Sequence, residues 1–200
     1  MAITNGYCTL AEVKAALRLT DNVDDTLLEN AIGSASRRID GYCGRWFYKT
    51  TSTAVPVYPL DEMLVRFPAD LPNTTITIKI DSTANGTYAT TLTQGTDYIL
   101  EPTDAPLQGR PYQQARMLGG QTFPLEVTPS FPTVQCTAEW GWNAIPDDIR
   151  EACVLLSMRQ FARLNAALGV VGFADMAITV RAVDPDVRDL LSPYVMFGMA

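Results

Sequence analysis

Apolar and polar positions follow two rhythms along this chain, and the changes of rhythm divide it into three stretches. The first stretch has a helical period. Leu10, Val13 and Leu17 share one face, and Thr9 with Glu12 forms a capping box, in which hydroxyl and carboxylate satisfy open amide donors at a helix start. The turn from Thr20 to Val23 leads to a second helix beginning near Asp24 and Asp25, where carboxylates favour the positive end of the helix dipole. Leu28, Ile32, Ala35, Ile39 and Tyr42 then recur at steps of four and three, a narrow apolar stripe. Gly33, Ser34 and Ser36 flank it and leave room for a neighbouring element, inside the subunit or in another copy. Gly41 and Gly44 mark the end.

Between Trp46 and Trp142 the period falls to two. "TTITIKI" (74–80) alternates Thr or Lys with Ile, as a half-buried strand does. Further strands are predicted at 53–60, 62–67, 88–93, 97–102, 112–118 and 133–142. "ANGT" (84–87) is a turn signal, because Asn and Gly tolerate positive φ. Pro68, Pro72, Pro102, Pro106, Pro111, Pro124, Pro129 and Pro132 punctuate the region, as at the edges and loops of a small sandwich or barrel.

Pro146 restarts helix, its missing N–H costing nothing in a first turn, and Asp147 and Asp148 follow. This third predicted helix is apolar on two sides. At 100° per residue, Ile149, Ala152, Cys153, Leu156 and Leu164 cover one side, and Val154, Leu155, Met158, Phe161 and Ala162 much of the other. A surface helix needs one stripe. The helix is therefore either central to its own subunit or shared between the subunit and a second copy. Leu28, Ile32, Ala35 and Ile39, with Leu155, Met158 and Phe161, are the candidate oligomer interface. A Gly-punctuated loop (168–175) and an extended segment around 177–183 precede a last short helix, with Asp184 as N-cap and Pro185 in its first turn. Pro193 ends or kinks it. The end, "SPYVMFGMA" (192–200), carries Tyr194, Val195, Met196, Phe197 and Met199 with no charge. It reads either as a coil tucked into its own core or as an apolar plug that docks on a partner through adaptable Met and an aromatic anchor.

The fold class is thus α+β: a small helical framework, residues 1–46 and 143–200, carrying a β-rich, sandwich- or barrel-like insertion at 47–142. Composition narrows the function. The 200 residues carry a formal net charge of -7, which does not suit gripping phosphate backbones with clustered Lys and Arg. The chain has no histidine, which removes His-based triads, His general bases and imidazole ligands together. Cys8, Cys43, Cys136 and Cys153 include no CxxC pair, so a thiolate zinc site is not expected, and disulfides are not required at this length. The pairs Asp24/Asp25, Asp147/Asp148 and Asp184/Asp186 all lie at predicted helix starts and need no catalytic explanation. Phosphate loop, dinucleotide fingerprint and nucleophile elbow are all missing; "MLGGQ" (117–121) reads as a turn. No cofactor, metal or catalytic residue is expected. The start lacks the basic and apolar regions of a signal peptide, and no apolar run is long enough to span a membrane. Trp46, Phe47, Tyr48, Trp140 and Trp142 gather at the borders of the β-rich stretch and read as a hydrophobic seam.

In the order of its pieces the chain resembles the head–tail connector (adaptor) proteins of long-tailed bacteriophages. "CTLAEVKAALRL…DDTLLENAIGSASRRIDGYCGRWF" is similar to their opening helix pair, "AEWGWNAIPDDIREACVLLSMRQFARL" to their strand, Gly-aromatic turn and Pro-started helix, and "DPDVRDLLSPY" to their final helix. The Arg that often follows that helix is Val195 here. The resemblance implies a structural protein made in the host cytoplasm and working in the virion neck. It implies a twelve-membered ring of copies under the portal protein, extending the DNA channel without binding DNA specifically, and receiving the next neck or tail protein. Tyr194, Val195, Met196, Phe197 and Met199 are then candidates for portal docking. Two other readings stand beside it: a tail-completion or stopper protein, and a glycan-binding β module using Trp46, Trp140 or Trp142.

Overall fold

A computed structural model describes residues 3–125, 131–165, 172–173, 176–177 and 185–196. The chain divides into two compact units, one formed by residues 1–48 and 145–200, the other by 49–144. Each unit boundary falls slightly beyond the change of texture in the sequence. The architecture is α+β, with the strand-rich part between the second and third long helices.

In the helical unit, α1 (Leu10–Leu17) opens on the expected capping box: the Thr9 hydroxyl accepts from the Glu12 N–H at 3.2 Å, and the Glu12 carboxylate accepts from the Thr9 N–H at 2.7 Å. α2 (Asp25–Cys43) ends where Gly44 turns left-handed at φ 66°, a conformation glycine adopts without a Cβ clash. Within the unit α2 packs on α4 (Asp147–Asn165), and α5 (Pro185–Leu191) packs on α4 as well. Pro146 stands just before α4, its carbonyl accepting the Arg150 N–H at 3.0 Å. The core is Val13, Leu28, Ala31, Ile32, Ala35, Ile39, Cys43, Phe47, Ile149, Ala152, Cys153, Leu156, Val187 and Leu191, all buried. Each fully buried Leu or Ile stabilises the unit by roughly 1.5–3 kcal/mol. After α5 the chain tightens into a 3-10 turn, Ser192–Tyr194, which contains Pro193. The expected N-cap Asp184 and the predicted segment 177–183 beyond Ala177 lie outside the described residues, while within the stretch expected as a loop β8 (Gly172–Phe173) pairs with β9 (Met176–Ala177).

The β unit holds all seven predicted strands: β1 (Thr53–Val57), β2 (Leu64–Leu71), β3 (Ile76–Ile80), β4 (Thr90–Leu92), β5 (Tyr98–Glu101), β6 (Tyr112–Met117) and β7 (Val134–Ala138). They form two antiparallel sheets, in the orders β1-β7-β3-β4 and β2-β6-β5. Alternate residues turn inward: Val134, Cys136 and Ala138 on β7, Val65 and Phe67 on β2, Tyr98 and Leu100 on β5. Phe67 of one sheet lies against Trp140 beyond β7, ring centroids 6.0 Å apart, so the inner faces share a core in the manner of a sandwich. Two prolines sit where a missing N–H is tolerated. Pro56 is on β1, an edge strand, and Pro68 lies in the register shift of β2 between Arg66 and Leu71. A short helix that the periodicity does not announce, α3 (Ala105–Gln108), crosses from β5 to β6.

The chain enters and leaves the β unit through one clasp. The Thr50 N–H donates to the Trp140 carbonyl at 2.8 Å, the Trp140 N–H donates to the Thr50 hydroxyl at 3.0 Å, and Lys49 pairs with Glu139 at 2.9 Å.

Candidate assembly surfaces

The α2 stripe is spent inside its own unit. Leu28, Ile32 and Ile39 are fully buried and Ala35 nearly so, facing α4 and the N-terminal segment. The narrow 100° stripe read from the sequence is what one intramolecular contact requires, which leaves these four side chains no surface to offer a second copy. On α4 the two apolar sides differ. Ile149, Ala152, Cys153 and Leu156 are buried, whereas Val154, Leu155, Met158 and Phe161 are half-buried and Ala162 is exposed. The second side of α4 is therefore the part of the candidate interface that retains accessible apolar area. Neither α2 glycine marks a close approach: a Cβ at Gly33 or Gly41 would meet nothing within 4 Å. Ser36 is the small residue that matters. It is fully buried and accepts the Tyr7 N–H at 3.0 Å, while its hydroxyl reaches the Ile32 carbonyl at 2.8 Å.

A polar knot fixes the end of α2. The Tyr7 hydroxyl donates to the Asp40 carboxylate and accepts the Phe47 N–H at 2.8 Å. Arg37 covers the rings of Tyr7 and Tyr48 at 5.6 and 5.1 Å, pairs with Asp40 at 3.3 Å and donates to the Asn5 carbonyl at 2.8 Å. Burial raises the Tyr7 hydroxyl far above its ordinary range, with Asp40 adding to the shift. Burial also raises the Asp40 carboxyl, against the opposing pull of Tyr7 and Arg37. The C-terminal stretch ties into this knot. The Tyr194 ring meets Phe47 edge-on at 5.7 Å, its hydroxyl donates to Asp148 at 3.0 Å, and the Met196 N–H donates to the Cys43 carbonyl at 2.9 Å. Tyr194, Val195 and Met196 are half-buried. Phe197 and Met199 lie outside the described residues.

In the β unit the two tryptophans expected near a seam are structural anchors. Trp140 and Trp142 are buried, and their indole N–H groups donate to the Thr53 carbonyl at 3.3 Å and to the Asp70 carboxylate at 2.9 Å. Neither presents an open ring face of the kind sugar stacking needs. Trp46, in the helical unit, is half-buried and stacks on Tyr48 at 6.2 Å. An open cleft of about 470 Å³ lies beside Trp142, lined by Pro72, Pro106, Pro111, Tyr112 and Asn143. Sequence periodicity missed the exposed apolar residues of the loops: Tyr58 and Leu60 after β1, Leu107 on α3, and Leu125 and Phe131 before β7. Their signal is an apolar residue inside a Pro-rich turn, where the β rhythm has lapsed and burial is not implied.

Among the described residues no three Cys, Asp or Glu side chains gather as metal ligands, and no helix is long and apolar enough to cross a membrane. Asp81 accepts from the N–H groups of Thr83, Gly86 and Thr87 and from the Thr83 hydroxyl, at 2.7 to 3.0 Å, which organises the "ANGT" turn and holds its carboxyl below the ordinary range.

A helix pair, a β-rich insertion of two antiparallel sheets and a third long helix make this an α+β protein. The model of phage gp6-like head-tail connector proteins matches residues 7–99, which bears out the resemblance carried by the opening helix pair and extends it into the β unit. That resemblance is to structural proteins, not to enzymes. Three solved structures are similar along the whole chain. A chain of "Neck of empty GTA particle computed with C6 symmetry" is 16% identical with TM-score 0.57, covering 100% of this chain and 95% of that one. A chain of "Neck of native GTA particle computed with C12 symmetry" is 18% identical with TM-score 0.57, at 100% and 94% coverage. One from the "Virion of native gene transfer agent (GTA) particle" is 21% identical with TM-score 0.54, at 100% and 95%. At these identities the likeness is one of fold. No curated protein matches the chain.

Proposed function

We propose that this chain is a structural subunit of a virion neck, an adaptor that forms a ring below the portal protein, extends the DNA channel and receives the next neck or tail protein. The observation that carries the reading is the match of residues 7–99 to the head–tail connector model. The fold likeness to chains from neck particles with C6 and C12 symmetry supports a ring of copies, twelve in the assembled neck. A net charge of -7 suits a conduit through which DNA slides. Within the ring, the half-buried side of α4 carrying Leu155, Met158 and Phe161 is the intersubunit contact, and Leu28, Ile32, Ala35 and Ile39 support it from inside. Portal docking falls to the end of the chain, with Phe197 and Met199 as anchors beyond the internally tied Tyr194, Val195 and Met196.

Electron microscopy of lysates from the parent particle with this gene disrupted tests the role. Separate heads and tails, with heads empty or leaking DNA, are expected; intact particles that fail only in adsorption would overturn it. Finished heads that retain DNA but lack tails would move the protein to the stopper position. Because Tyr194 and Met196 bind their own unit, the docking assignment is tested by removing residues 197–200 rather than the stretch from Ser192. Loss of portal attachment with an unchanged thermal midpoint is expected, and retained attachment would sink it.

A further inference from the structure

Among the described residues all four cysteines are free and buried, and two of them meet. Cys8 lies just before α1 and Cys153 in the first half of α4, 145 residues apart in sequence, yet their Sγ atoms are 3.3 Å apart. Cys8 is 5% exposed and Cys153 fully buried. We propose that Cys8 and Cys153 are a two-thiol oxidation site, which hydrogen peroxide closes to a disulfide joining the N-terminal segment to α4.

The geometry favours closure. A disulfide needs sulfurs about 2.0 Å apart, so the approach required is about 1.3 Å. The backbone beside Cys8 is fixed by the bonds of Tyr7, so the approach falls to rotation of the two cysteine side chains about their Cα–Cβ bonds. The surroundings divide the roles. The Cys8 thiol donates to Cys153 Sγ, and the Ser36 hydroxyl lies 3.5 Å from the same sulfur. These contacts, the Cys8 one first, hold the Cys153 thiol below its ordinary range against the effect of burial, while Cys8 is raised. In the hydrogen-bonded pair the thiolate form is favoured at Cys153.

Its thiolate attacks one peroxide oxygen, the O–O bond breaks, and the departing hydroxide takes up a proton as water, leaving Cys153 as the sulfenic acid. Cys8 Sγ then attacks that sulfur and gives up its proton. The S–O bond breaks and the oxygen leaves as a second water. Two thiols are oxidised by two electrons and one peroxide becomes two waters. The product closes a loop through the whole β unit, and tethering so long a loop restricts the unfolded chain strongly.

The test uses the full chain, reduced, freed of reductant and treated with dilute hydrogen peroxide. An intact-mass loss of about 2 Da is expected, with a linked peptide pair containing Cys8 and Cys153 while Cys43 and Cys136 remain alkylatable. The thermal midpoint should rise by about 10 °C and fall back on reduction. Cys8→Ser and Cys153→Ala should each abolish the mass loss, and Cys43→Ser should keep it. A folded protein that gains oxygen at Cys153 without a cross-link, links other cysteines, or does not react would overturn the proposal; the wild-type mass alone decides this if a variant fails to fold.

Discussion

The two units differ in what surrounds their carboxylates. In the helical unit, side chains distant in sequence meet in the core: Tyr7 with Asp40, Ser36 with the Tyr7 N–H, Cys8 with Cys153. In the β unit Asp70 likewise reaches across the fold, accepting the Trp142 indole N–H at 2.9 Å, while two other carboxylates are held by near neighbours. Asp81 gathers the amides of its own turn, and Glu101 on β5 pairs with Arg116 on β6 at 2.6 Å, with Gln114 adding a bond at 2.7 Å. The electrostatic consequence is a contrast of sign. Burial raises Asp40, whereas amide donors lower Asp81 and the Arg116 guanidinium lowers Glu101. Asp40 has donors too, from Tyr7 and Arg37, but burial outweighs them, so a carboxylate's behaviour follows the balance of the two.

The sharpest tests of that contrast come from deletion of core contacts. Ile39→Ala removes a fully buried side chain from the α2–α4 contact and should cost about 2–5 kcal/mol in urea unfolding. A loss under about 1 kcal/mol would mean that the knot, and not apolar packing, holds the helical unit. In the β unit, Trp142→Phe keeps most of the ring and removes the N–H given to Asp70. It should cost about 1–3 kcal/mol, chiefly through desolvation of the carboxylate that loses a donor.

Acid titration separates the units next. Asp81 and Glu101 have depressed folded values, so their contributions are present above the ordinary carboxylate range and are lost as pH falls through the folded values. Asp40 is raised, so the folded state holds its proton more tightly. Stability from this group therefore falls as pH rises from the ordinary carboxylate value through the folded one. Urea midpoints followed from neutral to acid pH should decline less steeply for Asp81→Asn than for wild type, and more steeply for Asp40→Asn. Parallel curves for the two variants would break the contrast. Glu12 in the α1 capping box is also lowered, by its bonds from Thr9, so the rule follows local donors and not unit membership.

The smallest effects come from glycines. Gly33 lies within α2 with open space where a Cβ would stand, whereas Gly86 in the β3–β4 turn has φ 86°. Gly33→Ala should stabilise by about 0.5–1 kcal/mol, and Gly86→Ala should destabilise by about 1 kcal/mol or more. If the Gly33→Ala protein is more stable yet fails to enter rings, the empty space beside Gly33 belongs to a neighbouring copy.

What the sequence disclosed follows from the range of the forces involved. The capping box at Thr9 and Glu12, the α2 stripe and the seven strands are written in neighbours a few residues apart, and each was legible. The sheet orders were not, because β1 pairs with β7 across most of the β unit and alternation says only which face is buried. β2 runs on through Pro68 because the ladder is already broken there. α3 is a single turn, too short for a period. The candidate surfaces were legible in part: the second apolar side of α4 was seen, but whether the α2 stripe faced inward depended on where α4 lay. The tryptophans were read as a seam or a platform, and the bonds of Trp140 to Thr53 and of Trp142 to Asp70 lie about 70 to 90 residues apart in sequence. The meeting of Cys8 with Cys153 has no local signal at all.

The clasp of Lys49 and Thr50 with Glu139 and Trp140 bears on how such a chain can change over generations. Because the two crossings are held side by side, nearly half the polypeptide is looped out from a point where a tight turn would serve. Lengthening, trimming or replacing what lies between the clasp residues leaves the two crossings at the same separation. The clasp thus makes the spacing of the entering and leaving strands independent of the length of chain looped between them.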